Sequence, residues 1–425
     1  MSESTPGKKR ATLREVAEEA GVSLKTASNV INHSGRMSDA TREKVQNVID
    51  KLGYRVNVAA RNLNRGHTGF ITLAVPGLTA PYLAQLANKV IDAARAQGYS
   101  VYVTTYAEDP AAGVRRLLTN FNTTVSDGMI LSISEADDLT ADDLDVEYPL
   151  ICLGARSTYG RADHVPTDDV QAARQAAGFL IDHGSSKLAV IGARNGSKDP
   201  ALALEATEGN AQLRLRGVLE ECAERGLSLD PHLIGDTGND WSIGSGARMA
   251  QHLIDTGIPF DGIVAFNDQL AMGALFTLAS NGIAVPGGVQ VIGFDNIDEA
   301  AYFQPPLTTM DSMIDWIAPT SVERILERIG TDKPIQPKDI VRATRVIRRA
   351  TTRAEGDEPP APHHRANSTA KYASVTTTPP IRPPRWAHML ISLFVRPGAM
   401  HNATLSNTAL KSRNWLSPGT NSIAT

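Results

Sequence analysis

The sequence predicts two kinds of fold in one chain. A small N-terminal all-α head is built on a helix-turn-helix, and an α/β body of doubly wound parallel sheets follows in two lobes. Three observations carry this. Turn and capping residues cut residues 11–56 into three short helices. Apolar strands then alternate with amphipathic helices over residues 68–354. Charge divides the chain in the same places. Residues 1–67 hold 12 Lys and Arg against 7 Asp and Glu, a net of +5, and residues 355–425 hold 7 against 3, a net of +4. The chain as a whole is at −4, so the body carries −13. A basic head on an acidic body implies that only the head meets a polyanion.

Thr12 followed by Glu15 is a capping box, so the first helix starts at Leu13, and Leu13, Val16, Ala17 and Ala20 recur at helical spacing. Gly21 stops it. Ser23 is placed to cap a second helix with Ala27, Val30 and Ile31 on its buried face. Ser38 or Asp39 caps a third, whose apolar side is Val45, Val48, Ile49 and Leu52, and which ends at Gly53. Two short helices joined by a Gly-containing turn are a helix-turn-helix, and the third completes its core.

In the body, strands are expected at 70–75, 100–105, 128–133, 150–153, 188–191, 262–265 and 289–294. Helices are expected at 82–96, ending at Gly98, and around 114–121, with helical patterns between most later strands. Asp168 and Asp169 read only as a helix cap after Pro166. Such alternation implies parallel sheets with helices on both faces, and the length suits two sheets better than one. Residues 1–10 read as disordered. So do residues 355–425, where PPAP, TTTPP and RPP are followed by many Asn, Ser and Thr. Within that tail, residues 386–395 (WAHMLISLFV) are apolar but too short to span a bilayer.

Composition excludes several classes. With 42% hydrophobic and 21% charged residues, wholesale disorder is ruled out. No apolar run approaches the roughly 18 residues of a spanning helix, and MSESTPGKKR lacks the apolar stretch of a signal peptide. A soluble cytoplasmic protein without a membrane partner is therefore expected. Two cysteines, Cys152 and Cys222, make neither a disulfide framework nor a zinc site. No G-x-G-x-x-G, P-loop, H-E-x-x-H or G-x-S-x-G motif is present, so no catalytic residue, metal or cofactor is expected.

A helix-turn-helix lays its second helix in the major groove of DNA. The residues opposite its buried face are Leu24, Lys25, Ser28, Asn29 and Asn32. Asn can bond adenine bidentately, Lys can donate to guanine, and Leu can meet a thymine methyl. Thr12, Ser23, Thr26 and Thr41 sit near helix starts, where hydroxyls and amides hold phosphates. Taken alone, the same residues also suit a small helical bundle with a solvated basic face.

The motifs VAEEAGVS, TASNVIN, TREKV and LGY, at these spacings between Thr12 and Leu63, resemble the N-terminus of the lactose/galactose repressor (LacI) family. The resemblance implies a homodimer that reads a near-palindromic double-stranded DNA operator. It also implies a hinge helix within 57–67 that orders on DNA and pushes a leucine into the minor groove. The hinge would be residues 57–64, with Leu63 as wedge, Ala60 behind it, and Asn57 and Tyr54 on the DNA backbone. Two positions depart from the family. Asn29 stands where Arg is frequent, and Val56 stands where a proline commonly opens the hinge, which leaves the unbound hinge freer.

The resemblance continues to about Thr352 through QLRLRGVLEE, AFNDQLAMGAL, VQVIGFDNIDEAAYFQPPLTT and RATRVIRRATT. These are similar to the two-lobed periplasmic-binding-protein-like effector domain of that family, in which a small molecule sits between the lobes. A hydroxyl-rich ligand needs carboxylate and amide acceptors, a guanidinium fork and a flat apolar face. The matching positions are Arg214 as the grip, Trp241 as the stacking face, and Asn267 and Asp295 as polar contacts, with Tyr82 a further candidate. Asn267 and Asp295 follow strands and could equally cap or turn; Arg214 could be a salt-bridged helix residue, and Trp241 a core one. The resemblance thus implies a ligand-responsive regulator, most simply a repressor, with a sugar or sugar derivative as effector. A solute-binding or sugar-acting protein on the same fold, and a DNA-architectural protein without ligand response, are the competing readings. The Pro-rich tail has no heptad helix, which favours a dimer over a tetramer.

Overall fold

The computed structural model describes residues 11–31, 34–55, 67–106, 110–134, 136–194, 199–331 and 335–354. Asn32, the hinge positions Asn57, Ala60 and Leu63, the first ten residues and the tail from 355 lie outside the described residues.

The head has helices α1 (Leu13–Glu19), α2 (Leu24–Ile31) and α3 (Asp39–Leu52). The α1 capping box is present in both directions: Glu15 N donates to the Thr12 hydroxyl at 3.3 Å, and Thr12 N donates to the Glu15 carboxylate at 2.7 Å. Ser23 Oγ accepts from Thr26 N at 3.0 Å and Ser38 Oγ from Thr41 N at 3.3 Å, so Ser38 caps α3 and Asp39 is its first residue. Gly53 closes α3 at φ 59°, a left-handed angle that costs glycine nothing. Val16, Ala17, Ala20, Ala27, Val30 and Val45 form the core. Ile31 departs from expectation. It is only half-buried, at the last position of α2.

The first lobe is a five-stranded parallel sheet of order β2-β1-β3-β4-β5, comprising β1 (Phe70–Val75), β2 (Ser100–Thr105), β3 (Met129–Ser132), β4 (Leu150–Leu153) and β5 (Asp163–Val165). Its helices include α4 (Pro81–Ala96) and α5 (Pro110–Thr119). In the second lobe, the sequence runs α6 (Asp169–Asp182), β6 (Leu188–Ala193), α7 (Pro200–Leu204), α8 (Asn210–Glu224), β7 (Ile234–Asp236), α9 (Ile243–Asp255), β8 (Gly262–Ala265), α10 (Asp268–Ser280), β9 (Gln290–Asp295) and β10 (Thr308–Asp311). Helix α11 (Ile314–Ile329) then returns to the first lobe, where Ile314, Ile317, Val322 and Ile325 share a core with Ile71, Leu73 and Leu86. Strand β11 (Arg345–Ile347) closes the second sheet, whose order is β11-β10-β9-β8-β6-β7.

The parallel-sheet expectation needs one correction. Strand β11 pairs antiparallel with β10, since the chain re-enters the second lobe at the sheet edge, where either direction can pair. Strands β3, β4, β6 and β8 are buried along their whole length, as sheets covered on both faces require. Strands β5, β7, β10 and β11 were not expected: they are three or four residues each, and Asp, Thr or Arg breaks the apolar run that marks the equally short β3, β4 and β8. Helix α5 stops at Thr119, short of the expected 121, and Phe121 stacks instead on Tyr148, ring centroids 4.1 Å apart.

The chain passes between lobes three times, near residues 166–168, 312–313 and 341–344. The first and third passages run side by side, bridged at Thr167 and Arg342. Fully buried Asp163 pins α11 to β5, accepting from Arg324 Nη2 at 2.9 Å and Arg328 Nε at 2.5 Å, and from Lys338 N at 2.9 Å. Burial works against its charge, but the Arg328 and Arg324 hydrogen bonds hold its carboxyl below the usual range.

Candidate ligand cleft and nucleic-acid interface

A cavity of about 380 Å³ lies between the lobes, at the carboxyl ends of the strands, within the size range of small-molecule sites. All five body residues singled out from sequence, Tyr82, Arg214, Trp241, Asn267 and Asp295, line it. They come from five different segments spread over more than half of the body.

Arg214, one turn into α8, is 5% exposed. Its Nε donates to Asp169 Oδ1 at 2.6 Å and its Nη1 to the Phe266 carbonyl. The guanidinium lies 4.5 Å from the Phe294 ring centroid and 5.6 Å from that of Trp241. Its Nη2 has no acceptor among the described residues. Gly217, a turn further on, makes this possible. Any Cβ there would collide with the Val170 carbonyl, so glycine lets α8 approach α6 closely enough for Arg214 to reach Asp169.

The reading of Asp168 and Asp169 as a mere cap therefore needs correcting. Asp168 does cap α6, accepting from Gln171 N at 3.1 Å, but Asp169 is 2% exposed and is the ion-pair partner of Arg214. Burial raises the Asp169 carboxyl above its usual value, against the pull of Arg214.

Asp295 ends β9 in a left-handed conformation, φ 103°, and its carbonyl accepts from Ser312 Oγ at 2.8 Å. Its carboxylate has no hydrogen-bond donor among the described residues. Burial pushes this carboxyl up to about 6, with Arg214 opposing and Asp169 assisting. Asn267 is the N-cap of α10: its Oδ1 accepts from Leu270 N at 2.8 Å, while its Nδ2 donates to the Trp241 carbonyl at 3.0 Å. It lines the cavity with both polar ends already engaged, and so positions the Trp241 loop. Trp241 Nε1 is buried without an acceptor. Tyr82, near the start of α4, has its hydroxyl pushed above the ordinary tyrosine range by burial and by the Asp295 charge.

Sequence reasoning missed Ser132, Ser134, Arg194, Asn210, Asp240 and Gln269, which also line the cavity. Asn210 stands four residues before Arg214, on the same helix face, a spacing that could have revealed it. Ser132 ends β3 and Gln269 is the second residue of α10, while Ser134, Arg194 and Asp240 lie in loops, and none carries a local signal. One rim of the cleft carries a polar clasp between lobes. Arg194 Nη2 of the second lobe donates to Asp137 of the first at 2.9 Å, and Asp137 also pairs with Arg156. Arg156 reaches Glu208 of the second lobe at 3.3 Å, and Gly209 N donates to the Ala155 carbonyl at 2.7 Å.

In the head, Leu24 (49% exposed) and Lys25 stand at the exposed N-terminus of α2, while Ser28 and Asn29 are half-buried beside them. Ser23 and Thr12 are exposed at helix starts; Thr26 and Thr41 are half-buried, their hydroxyls 2.8 Å from those of Ser23 and Ser38. Tyr54 packs against the head's core. Among the described residues, no helix is long and apolar enough to cross a membrane, and no cluster of His, Cys, Asp or Glu could hold a metal. Both cysteines are buried free thiols.

Comparison with known proteins agrees with both halves. Residues 12–57 match the bacterial regulatory proteins of the lacI family, and residues 177–352 match the periplasmic binding protein-like domain. The HTH-type transcriptional regulator DegA of Bacillus subtilis is 32% identical over 71% of this chain and 86% of its own length. The HTH-type transcriptional repressor PurR of Photobacterium profundum is 30% identical over 75% and 92%. Among solved structures, the transcriptional regulator CelR in complex with cellobiose is 26% identical, covering 80% of this chain and all of that one, with a TM-score of 0.58. With a helix-turn-helix head and a two-lobed cleft joined in one chain, and relatives of this identity matching along most of their length, this protein belongs to the lacI family of bacterial transcriptional regulators.

Proposed function

We propose that the protein is a repressor that binds a near-palindromic operator as a homodimer in the cytoplasm and responds to a sugar or sugar derivative held between its lobes. The observation that carries this is the convergence of Arg214, Trp241, Asn267, Asp295 and Tyr82 on one interlobe cavity, in a chain that also carries the head. The cellobiose bound to its relative CelR supports a sugar.

On DNA, Leu24, Lys25, Ser28, Asn29 and Asn32 face base edges, while Thr12, Ser23, Thr26, Thr41, Tyr54 and Asn57 hold the backbone. Leu63, backed by Ala60, enters the minor groove. In the cleft, Arg214 Nη2 donates to a ligand hydroxyl, Asp295 accepts from it, and Trp241 offers a flat face. A ligand touching both lobes changes their angle about the three passages, and thereby the spacing of the two heads. Coupling requires only that its affinity differ between the DNA-bound and free states.

The test is titration of the purified protein, at moderate salt, against DNA from upstream of its own coding sequence and against random DNA. Preference for the first supports the reading. Equal binding with a steep salt slope shows phosphate contacts alone and contradicts it.

A further inference from the structure

The cleft's charge inventory points to a narrower ligand class. Among the described residues, four charged side chains line the cavity: Arg194, Arg214, Asp240 and Asp295. Three are matched within the protein. Arg194 is paired with Asp137 at 2.9 Å, Asp240 with Arg248 at 2.9 Å, and Arg214 with buried Asp169 at 2.6 Å. Asp295 alone has no counter-charge in hydrogen-bond contact among the described residues. Arg214 thus stands between two carboxyls, Asp169 behind the cavity wall and Asp295 on it, and only the first is hydrogen-bonded to it, in surroundings where charges are weakly screened.

The cavity's unused hydrogen-bonding groups, among the described residues, include both donors and acceptors. Arg214 Nη2 and Trp241 Nε1 are donors without acceptors; the Asp295 carboxylate and buried Asn210 Oδ1 are acceptors without donors. A hydroxyl satisfies such neighbours at once, accepting from Arg214 and donating to Asp295. A carboxylate or fully ionised phosphate has no proton to donate, so it would meet Arg214 well but face Asp295 with like charge and no donor.

Resting on the sugar-effector reading above, we infer that the cleft is selective for uncharged polyhydroxyl ligands and rejects their phosphorylated and carboxylated counterparts, with Asp295 as the residue that enforces the choice. Asp295 does this as an acceptor for neutral hydroxyls and a repulsive element against anions, the pairing of attraction and rejection that specificity generally needs.

The test is a thermal-melt and calorimetric screen of the full chain with matched pairs: glucose and cellobiose with glucose 6-phosphate, glucuronate and cellobionate, and adenosine with AMP. The expected result is that a neutral member binds and its anionic partner binds at least about tenfold more weakly, as like-charge juxtaposition in a buried site implies. The isosteric change Asp295→Asn is expected to narrow that gap by weakening the neutral ligand and admitting the anion; circular dichroism checks that the variant folds. Affinity for the neutral ligand is expected to fall as pH drops below about 6, where the carboxylate gains a proton. An anionic member binding as well as its neutral partner overturns the inference while leaving the effector reading intact. So does a gap that Asp295→Asn leaves unchanged, since size alone would then explain it. Adenosine binding without any sugar overturns the sugar reading and the polyhydroxyl class with it. No binding by any compound contradicts the effector reading and this inference together.

Discussion

The two lobes meet the same cavity with different chemistry. The second brings the charged and aromatic side chains of Arg214, Trp241 and Asp295, with Asn267 as the helix cap that holds the Trp241 loop. The first brings a cover of Tyr82, Leu83, Leu86 and Val165 with the hydroxyls of Ser132 and Ser134. Their internal cohesion differs too. The second lobe is tied by one continuous apolar core from Ala172 to Met310, whereas the first depends on α11, a helix borrowed from late in the chain and held by the buried Asp163–Arg324–Arg328 cluster. The first lobe's late helix is fastened by charge, so charge is where it can be loosened.

The largest expected effect follows from that fastening. Asp163→Ala leaves two guanidiniums without their buried counter-charge and is expected to lower stability by about 3–5 kcal/mol, read by urea unfolding. Acid acts on the same group. A carboxyl held low in the folded state contributes stability that is present above its unfolded value of about 3.9 and lost as pH falls through the folded one. Melting between pH 5 and 2 is expected to show the loss, and the Asp163→Asn protein is expected to lose less over that interval. If the two proteins fall in parallel, the cluster is not what fastens the first lobe.

On the second lobe, Gly217→Ala pushes α8 off α6 and is expected to cost about 1–3 kcal/mol, the usual range for overpacking. It is also expected to weaken sugar binding, since the displaced helix carries Arg214. A stability loss with ligand affinity unchanged would separate the packing of α8 from the grip. At the rim, Glu208→Gln removes one exposed end of the interlobe clasp. It is expected to change melting by less than about 1 kcal/mol while increasing the distance between fluorescent labels on the two lobes. Smallest of all is deletion of residues 355–425, expected to leave melting and DNA binding within about 0.5 kcal/mol.

The head was readable from sequence because its determinants are local. Thr12 with Glu15, Ser23 with Thr26, and Gly53 each act within three residues, and all sit where the caps were expected. The long body strands were readable because both faces are buried, which turns them into continuous apolar runs. The short strands were not, since β5, β7 and β11 are three residues each and depend on neighbours far away in the chain. The cleft was half readable. Resemblance to a family brought out five lining residues. Asp169 escaped because beside Pro166 and Asp168 it looks like one more capping residue, and only the approach of α8 at Gly217 makes it the partner of a residue 45 positions away. The Asp137–Arg156–Glu208 clasp escaped for the same reason, its members having no spacing in common.

The central claim, that the cleft governs the head, is tested most directly by fluorescence anisotropy of labelled operator DNA. It is measured with and without the sugar that best raises the melting temperature, for the unaltered protein and for Arg214→Ala. The account predicts a ligand-dependent change in operator affinity of about 5–150-fold in the unaltered protein and none in the variant, which still binds DNA. A sugar that binds without changing operator affinity, or that changes it equally in both proteins, would contradict it.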